Sequence, residues 1–297
     1  MDIKAWLSQQ SNAATSVFHM GRYCGPWKAS THATGNSSFH VVLEGECWLA
    51  LEEGRERTKL HEGDIAFFFT NRPFYLVSSA DAPINELPLS TMKPLNQAQP
   101  EDTALLCGFI QPVRHESKLL FALMPEFLLI KRDGKISQRL HTLFELLKIE
   151  CWQAENECEL TISRLTDLLL AYVVEEILDE HLVDINILKA SQCERLTSLM
   201  LKITHHPSEK WSIECMAASM HMSRSTFIRR IQETCSYSPN ELVMRLRINI
   251  AVNLLRRGIS MTEASQQVGY DSLTGFYKAF RKVTMQTPTQ LLKNLTH

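Results

Sequence analysis

Arg224, Ser225, Ile228 and Arg229 are spaced so that one side of a helix would carry them all, and Leu273, Thr274, Tyr277 and Lys278 repeat the spacing 49 residues later. Cationic and hydroxyl side chains on such a face suit phosphate oxygens and base edges in a major groove. Arg229 and Lys278 hold equivalent places and are expected to contact a base or a phosphate. The apolar members, Ile228 and Leu273, either touch thymine methyl groups or pack locally. Ser223, just ahead of the first set, can accept a hydrogen bond from the first turn of its helix. This is recognition chemistry, and the chain carries no catalytic constellation beside it.

The sulfur and imidazole groups make a second, less specific set. The cysteines are Cys24, Cys47, Cys107, Cys151, Cys158, Cys193, Cys215 and Cys235. None forms a CxxC pair, and none combines with His at zinc-finger spacing. Most read as buried free thiols of a reducing compartment. Cys24 follows Arg22 and precedes Gly25-Pro26, a turn where a cation would stabilise a thiolate. Cys47 and Cys107 sit in apolar strand patterns, which favour the neutral thiol. His40 reads as a hydrogen-bonded strand histidine rather than a ligand contact, and Trp27 and Trp48 as core. Trp27, His40, Cys24 and Cys107 are nonetheless the candidate effector or redox residues of this half. No metal or other cofactor is expected.

The elements that must position these groups change character along the 297 residues. Hydrophobic content of 44% and charged content of 22% suit packed cores rather than disorder. No window is apolar enough to cross a bilayer, and the first sixteen residues lack the apolar core of a secretory signal, so a cytoplasmic protein is expected. The net charge of −2 hides an asymmetry: residues 207–297 carry 12 Lys/Arg and 6 Asp/Glu, net +6, and the remainder 19 and 27, net −8. The polyanion-binding surface is therefore expected in the C-terminal part.

Residues from about 20 to 112 read as short strands. The run 39–54 breaks at Glu44-Gly45-Glu46, a hairpin signal, and Glu62-Gly63-Asp64 marks another turn. Residues 103–111 are a later strand. This spacing suggests a small antiparallel barrel or sandwich. Leu140, Leu143, Phe144 and Leu147, then Leu165, Leu168, Leu169, Tyr172, Val173 and Ile177, recur at helical spacing and predict two helices joined by a polar loop at 153–157. A linker follows at 181–192, less polar than most because of Leu182, Val183, Ile185, Ile187 and Leu188. Leu196, Leu199, Met200 and Ile203 mark a helix stopped by Pro207. Ser212 and Ser223 can cap the next two, Pro239 fits the first turn of a long helix, and Gly258 suits its end beside Arg256 and Arg257.

The two recognition sets lie in segments that resemble each other, 213–239 and 261–288. Ala217 matches Ser265 and His221 matches Gly269 at an offset of 48. Phe227 matches Phe276 and Ile231 matches Phe280 at 49. Each segment reads as helix, tight turn, helix, with the Phe/Ile or Phe/Phe pair facing the core and the recognition set opposite.

These segments resemble the DNA-binding domain of the AraC/XylS family of transcription regulators. The resemblance rests on Trp211-Ser212-Ile213, Met222-Ser223-Arg224, Arg229, Ser238-Pro239, Arg247, Ala251, Val268-Gly269-Tyr270, Ala279-Phe280-Arg281-Lys282 and Thr287-Pro288. It implies two helices in successive major grooves of double-stranded DNA. Cys235 and Met285 stand where the family usually has Gly, Ser265 where Ala is usual, and Lys278 where Arg is common. The N-terminal half resembles a cupin-like sensor domain, through Trp27, Phe39-His40-Val41-Val42-Leu43, Gly63-Asp64-Ile65 and Leu123-Met124-Pro125. Metal-dependent cupins carry a His-x-His pair; this sequence has none, and Phe74 stands near the place of a late ligand His.

The expected protein is an α+β multidomain regulator. A small cupin-like β-barrel (1–138) senses, a helical hairpin and linker (139–190) dimerise, and an all-α double helix-turn-helix domain (191–297) binds DNA. The expected partners are operator DNA, RNA polymerase, a second copy of the chain and a small-molecule effector, with no membrane. The resemblance favours activation. Two rivals remain at this stage: a cupin enzyme with an appended DNA-binding domain, and a DNA-binding protein without an effector.

Overall fold

The computed structural model of the chain describes residues 13–51, 57–70, 72–97, 102–112, 115–133, 138–154, 160–179 and 184–295. The polar loop expected at 153–157 falls mostly outside them, as do Cys158, Leu182 and Val183. The chain forms two compact units, one within 12–113 and 125–176, the other within 114–124 and 177–297. The cut differs from the expected domains: the segment 114–124 joins the C-terminal helices, and the hairpin joins the sheets.

Among the described residues the first unit holds nine strands: β1 (Ala13–Tyr23), β2 (Lys28–Ala29), β3 (Ser37–Glu44), β4 (Glu46–Ala50), β5 (Thr58–His61), β6 (Ile65–Phe68), β7 (Tyr75–Val77), β8 (Thr103–Pro112) and β9 (Phe127–Ile130). They pair as a five-stranded sheet ordered β1-β8-β3-β6-β9 and a four-stranded sheet ordered β2-β7-β4-β5. Among the described residues the strands form these two sheets and no closed barrel. The Gly45 turn is also not a hairpin. β3 pairs with β6 and β8, and β4 with β5 and β7, so the turn carries the chain from one sheet to the other. Gly45 has φ +78°, and a Cβ there would collide with the Asp102 carbonyl oxygen, so glycine suits this corner. Between the sheets lie Tyr23, Trp27, Val42, Cys47, Leu60, Phe68, Phe74 and Cys107. The other side of β3, carrying Phe39, Val41 and Leu43, is buried as well. The strand therefore reads as one apolar run rather than an alternation.

Two helices, α2 (Gln138–Gln153) and most of α3 (Leu160–Asp179), complete this unit; α1 (His115–Leu123) belongs to the other. The expected stripe on α2 is buried. On α3 the buried face is turned from expectation. Ile162, Thr166, Leu169, Leu170, Val173, Val174 and Ile177 are inside, Leu165 and Tyr172 are half-buried, and Leu168 is exposed. The cause is polar. Thr15 of β1 gives its amide N–H and its hydroxyl to Asp167, both at 2.8 Å, and its Oγ1 lies 2.6 Å from Thr166 Oγ1, which turns that side of α3 to the sheet.

In the second unit α1 buries Leu119, Leu120 and Leu123 and packs with the C-terminal helices α4 (Ile185–Ala190), α5 (Glu194–His205) and α8 (Pro239–Arg256). The expected linker is thus helical from Ile185. Asp184 caps α4 by accepting from the Asn186 amide, and Ile187, Leu188 and Ala190 are buried. The remaining helices are α6 (Ile213–Ser219), α7 (Arg224–Cys235), α9 (Met261–Gln267), α10 (Leu273–Thr284) and α11 (Pro288–Leu295).

Candidate nucleic-acid interface

Each helix-turn-helix is built by local chemistry. Ser212, Ser223, Ser238, Ser260 and Ser272 cap α6, α7, α8, α9 and α10, each side chain accepting from the amide three residues on. Pro239 opens α8, and Gly258 follows it with φ +81°. The first turn puts His221 at φ +55° and the second puts Gly269 at φ +81°, so the 48-residue offset aligns two left-handed positions. At Gly269 an added Cβ would sit 2.7 Å from Ser208 Cα. The end of α7 departs from expectation. The left-handed residue is Ser236 (φ +63°), not Cys235, which is the buried last residue of the helix. Met285 does take this conformation (φ +58°). A side chain there costs about 1–2 kcal/mol relative to glycine's freedom.

Phe227 and Ile231 of α7, and Phe276 and Phe280 of α10, are fully buried. That orientation turns Arg224, Ser225 and Arg229 outward on α7, with Ile228 half-buried, and Leu273, Thr274, Tyr277 and Lys278 outward on α10. Arg224 pairs with Glu214 at 3.1 Å and Arg229 approaches Glu233 at 3.9 Å. These pairs are exposed and exchange readily for phosphate or base acceptors. The Tyr277 hydroxyl donates to Met261 Sδ at 2.8 Å. Arg247 on α8 ties the two helix-turn-helix segments together. It donates to the carbonyls of Pro207 (2.8 Å), Glu209 (2.9 Å) and Gly269 (3.2 Å), tying the approach to α6 to the second turn.

Sequence reasoning missed a further tie. The Tyr237 hydroxyl donates to Asp184 at 2.9 Å, Arg245 donates to the same carboxylate at 2.8 Å, and the Arg245 guanidinium lies 4.1 Å from the Tyr237 ring centre. Asp184 thus caps α4 and anchors it beside the end of α7. The cap signal was legible in Asp184 preceding Ile185; its partners, 53 and 61 residues on, were not.

The candidate sensor residues fall mostly in core. Trp27 is buried and stacks on Tyr23 at 4.3 Å. His40 is buried, with Nδ1 3.0 Å from Cys107 Sγ and Nε2 3.3–3.4 Å from the Ser38 and Thr31 hydroxyls. Burial pushes the Cys107 thiol up, and the Cys47 thiol to about 12. Cys24 is half-exposed, and the expected cation does not serve it. Arg22 is buried, bonded to Glu44 and to the Leu95 carbonyl, while loss of solvent and the Asp102 carboxylate push the Cys24 thiol up against a smaller pull from Lys93. Around His40 stand one thiol, two hydroxyls and the Phe68 and Phe74 rings, a donor set that does not fit a metal. No group of three His, Cys, Asp or Glu among the described residues is placed to hold one.

Two sheets with a helical hairpin and a basic double helix-turn-helix define a DNA-binding regulator with an appended domain. Comparison with known proteins agrees. A cupin family model matches residues 9–179, and a helix-turn-helix domain model matches 216–294. The chain is 29% identical over 281 residues to an uncharacterized HTH-type transcriptional regulator of Haemophilus influenzae, covering 92% of both chains. It is 24% identical to the RCS-specific HTH-type transcriptional activator RclR of Escherichia coli, covering 81% of this chain and 82% of that one. It is 22% identical to a putative AraC-like transcription regulator of Streptomyces antibioticus, covering 99% and 97%. The chain belongs to the AraC family of transcription regulators, in the branch whose N-terminal domain is a cupin.

Proposed function

We propose that α7 and α10 lie in successive major grooves of an operator and that the chain regulates transcription there without being an enzyme. The observation that carries this is the paired outward set, placed by two identically built helix-turn-helix units held together by Arg247. Activation through RNA polymerase, in the compartment that holds the DNA, completes the reading. Arg229→Ala and Lys278→Ala are each expected to weaken operator binding by about 1–3 kcal/mol where the group contacts a base. Both side chains are exposed, so melting temperature is expected to hold. Uniform loss on all duplexes identifies a phosphate contact, and unchanged binding by both variants rejects the assignment.

Dimerisation through the hairpin is part of the same proposal. Of nine exposed large apolar side chains among the described residues, five are on the hairpin: Leu146, Ile149 and Trp152 on α2, and Leu160 and Leu168 on α3. Such a concentration favours burial against a second copy. Leu146→Glu with Ile149→Glu is expected to give a folded monomer by sedimentation; a monomeric parent chain at micromolar concentration removes the basis for it.

Effector response is the third component. A groove of about 580 Å³ opens between β1, residues 91–96 and the end of α2. It is lined by His19, Met20, Met92, Lys93, Leu95 and Trp152 among others, a mixture of apolar floor and polar rim that suits a small organic molecule. The protonated thiols favour this reading over an oxidant signal. A compound at a hundred times its Kd is expected to stabilise the protein by about 2.7 kcal/mol in a thermal melt. Oxidant-induced transcription that disappears in Cys24→Ser or Cys107→Ser would instead make the thiols the sensor.

A further inference from the structure

We propose that the two reading helices recognise chemically different half-sites, and that α10 reads thymine methyl groups. The inference rests on the reading of α7 and α10 as groove helices and adds what each one takes.

The two outward faces are alike in geometry and unlike in chemistry. Where α7 begins with Arg224, α10 begins with Leu273, which is 40% exposed. The apolar core of that half is made by Phe276, Phe280, Val268, Leu255 and their neighbours, with Met261 and Tyr270 packed at its margin, and Leu273 is not among them. The fold therefore gives no reason for a leucine at this place. One turn on, Tyr277 is 37% exposed, on the same side of the helix, where α7 has the half-buried Ile228. Its hydroxyl is already engaged on Met261 Sδ. Thr274 adds a methyl group between them.

In the major groove only thymine offers an apolar group, its C5 methyl. Guanine, adenine and cytosine would set hydrogen-bonding atoms against Leu273 with nothing to pair them. The geometry thus points to a thymine-bearing half-site under α10 and a half-site with guanine acceptors under Arg224 and Arg229 of α7.

The test uses the full chain. Operator duplexes are selected from random DNA, and each dT in the selected site is then replaced by dU, which deletes the methyl group alone. Each substitution under α10 is expected to weaken binding about fourfold, the worth of one buried methyl-sized group. The same change under α7 is expected to have no effect, and in Leu273→Ala the preference for dT over dU at the position nearest that side chain is expected to shrink. A footprint over both half-sites together with equal affinity of the parent chain for dT and dU overturns the inference and leaves the groove reading standing. A footprint confined to one half-site, unchanged in Lys278→Ala, overturns the groove reading itself.

Discussion

Phe276→Ala is expected to remove about 3–5 kcal/mol of stability from the C-terminal unit. The ring is fully buried, edge-on to Tyr270 at 5.5 Å and 5.6 Å from Phe280, within a cluster that joins α8, α9 and α10. Removing it leaves a void that helices pinned by Arg247 and by capped N-termini cannot close. Domain stability is of order 5–15 kcal/mol, so this single change takes much of it, and a fall in melting temperature of about 10 °C or more is expected. DNA binding is expected to fail with melting rather than before it. Lys278→Ala, two residues on, is the contrast: weakened operator binding at unchanged melting temperature. A Phe276→Ala protein that melts within a degree or two of the parent would show that this ring is not the seat of α10.

The C-terminal unit was legible because its signals are local. Ser212, Ser223, Pro239 and Gly258 act on amides and carbonyls within one turn, and the core pairs Phe227/Ile231 and Phe276/Phe280 fix by periodicity which side chains face out. What the sequence hid depends on distant partners. The break at Gly45 signals a turn, but whether it closes a hairpin or crosses between sheets depends on β5, β6, β7 and β8, which lie further along the chain. The buried face of α3 is set in part by Thr15, some 150 residues away; a purely apolar count found Leu169, Val173 and Ile177 but added Leu165, Leu168 and Tyr172, which are half-buried or exposed. Ser236 was missed by one residue because helix ends cannot be fixed more finely from pattern alone. Near Cys24, proximity in sequence was taken for proximity of charge. Arg22 belongs to β1 and turns to Glu44 and Leu95, whereas Cys24 lies beyond the strand's end, beside Asp102.

Acidification is expected to destabilise the sheet unit through His40. Burial lowers its pKa from 6.5 to about 3, because a charged ring would sit between a thiol, two hydroxyls and two phenyl rings. The unfolded chain therefore takes up the proton first. The contribution of neutral His40 is whole above pH 6.5, declines as pH falls, and is gone by about pH 3. At 1.36 kcal/mol per unit it amounts to about 2 kcal/mol lost by pH 5 and roughly 5 kcal/mol in full. Carboxylates elsewhere also titrate in this range, so the measurement is a difference. His40→Gln keeps hydrogen-bonding groups at the position and removes the titration. Denaturant unfolding of both proteins from pH 7.5 to 4.5 is expected to bring the curves together as pH falls, the parent losing about 2 kcal/mol more than the variant by pH 5. The loss depends on neutral imidazole in a dry interior, so parallel curves would mean that His40 meets water or an anion in solution and that the space between the sheets is not closed around it.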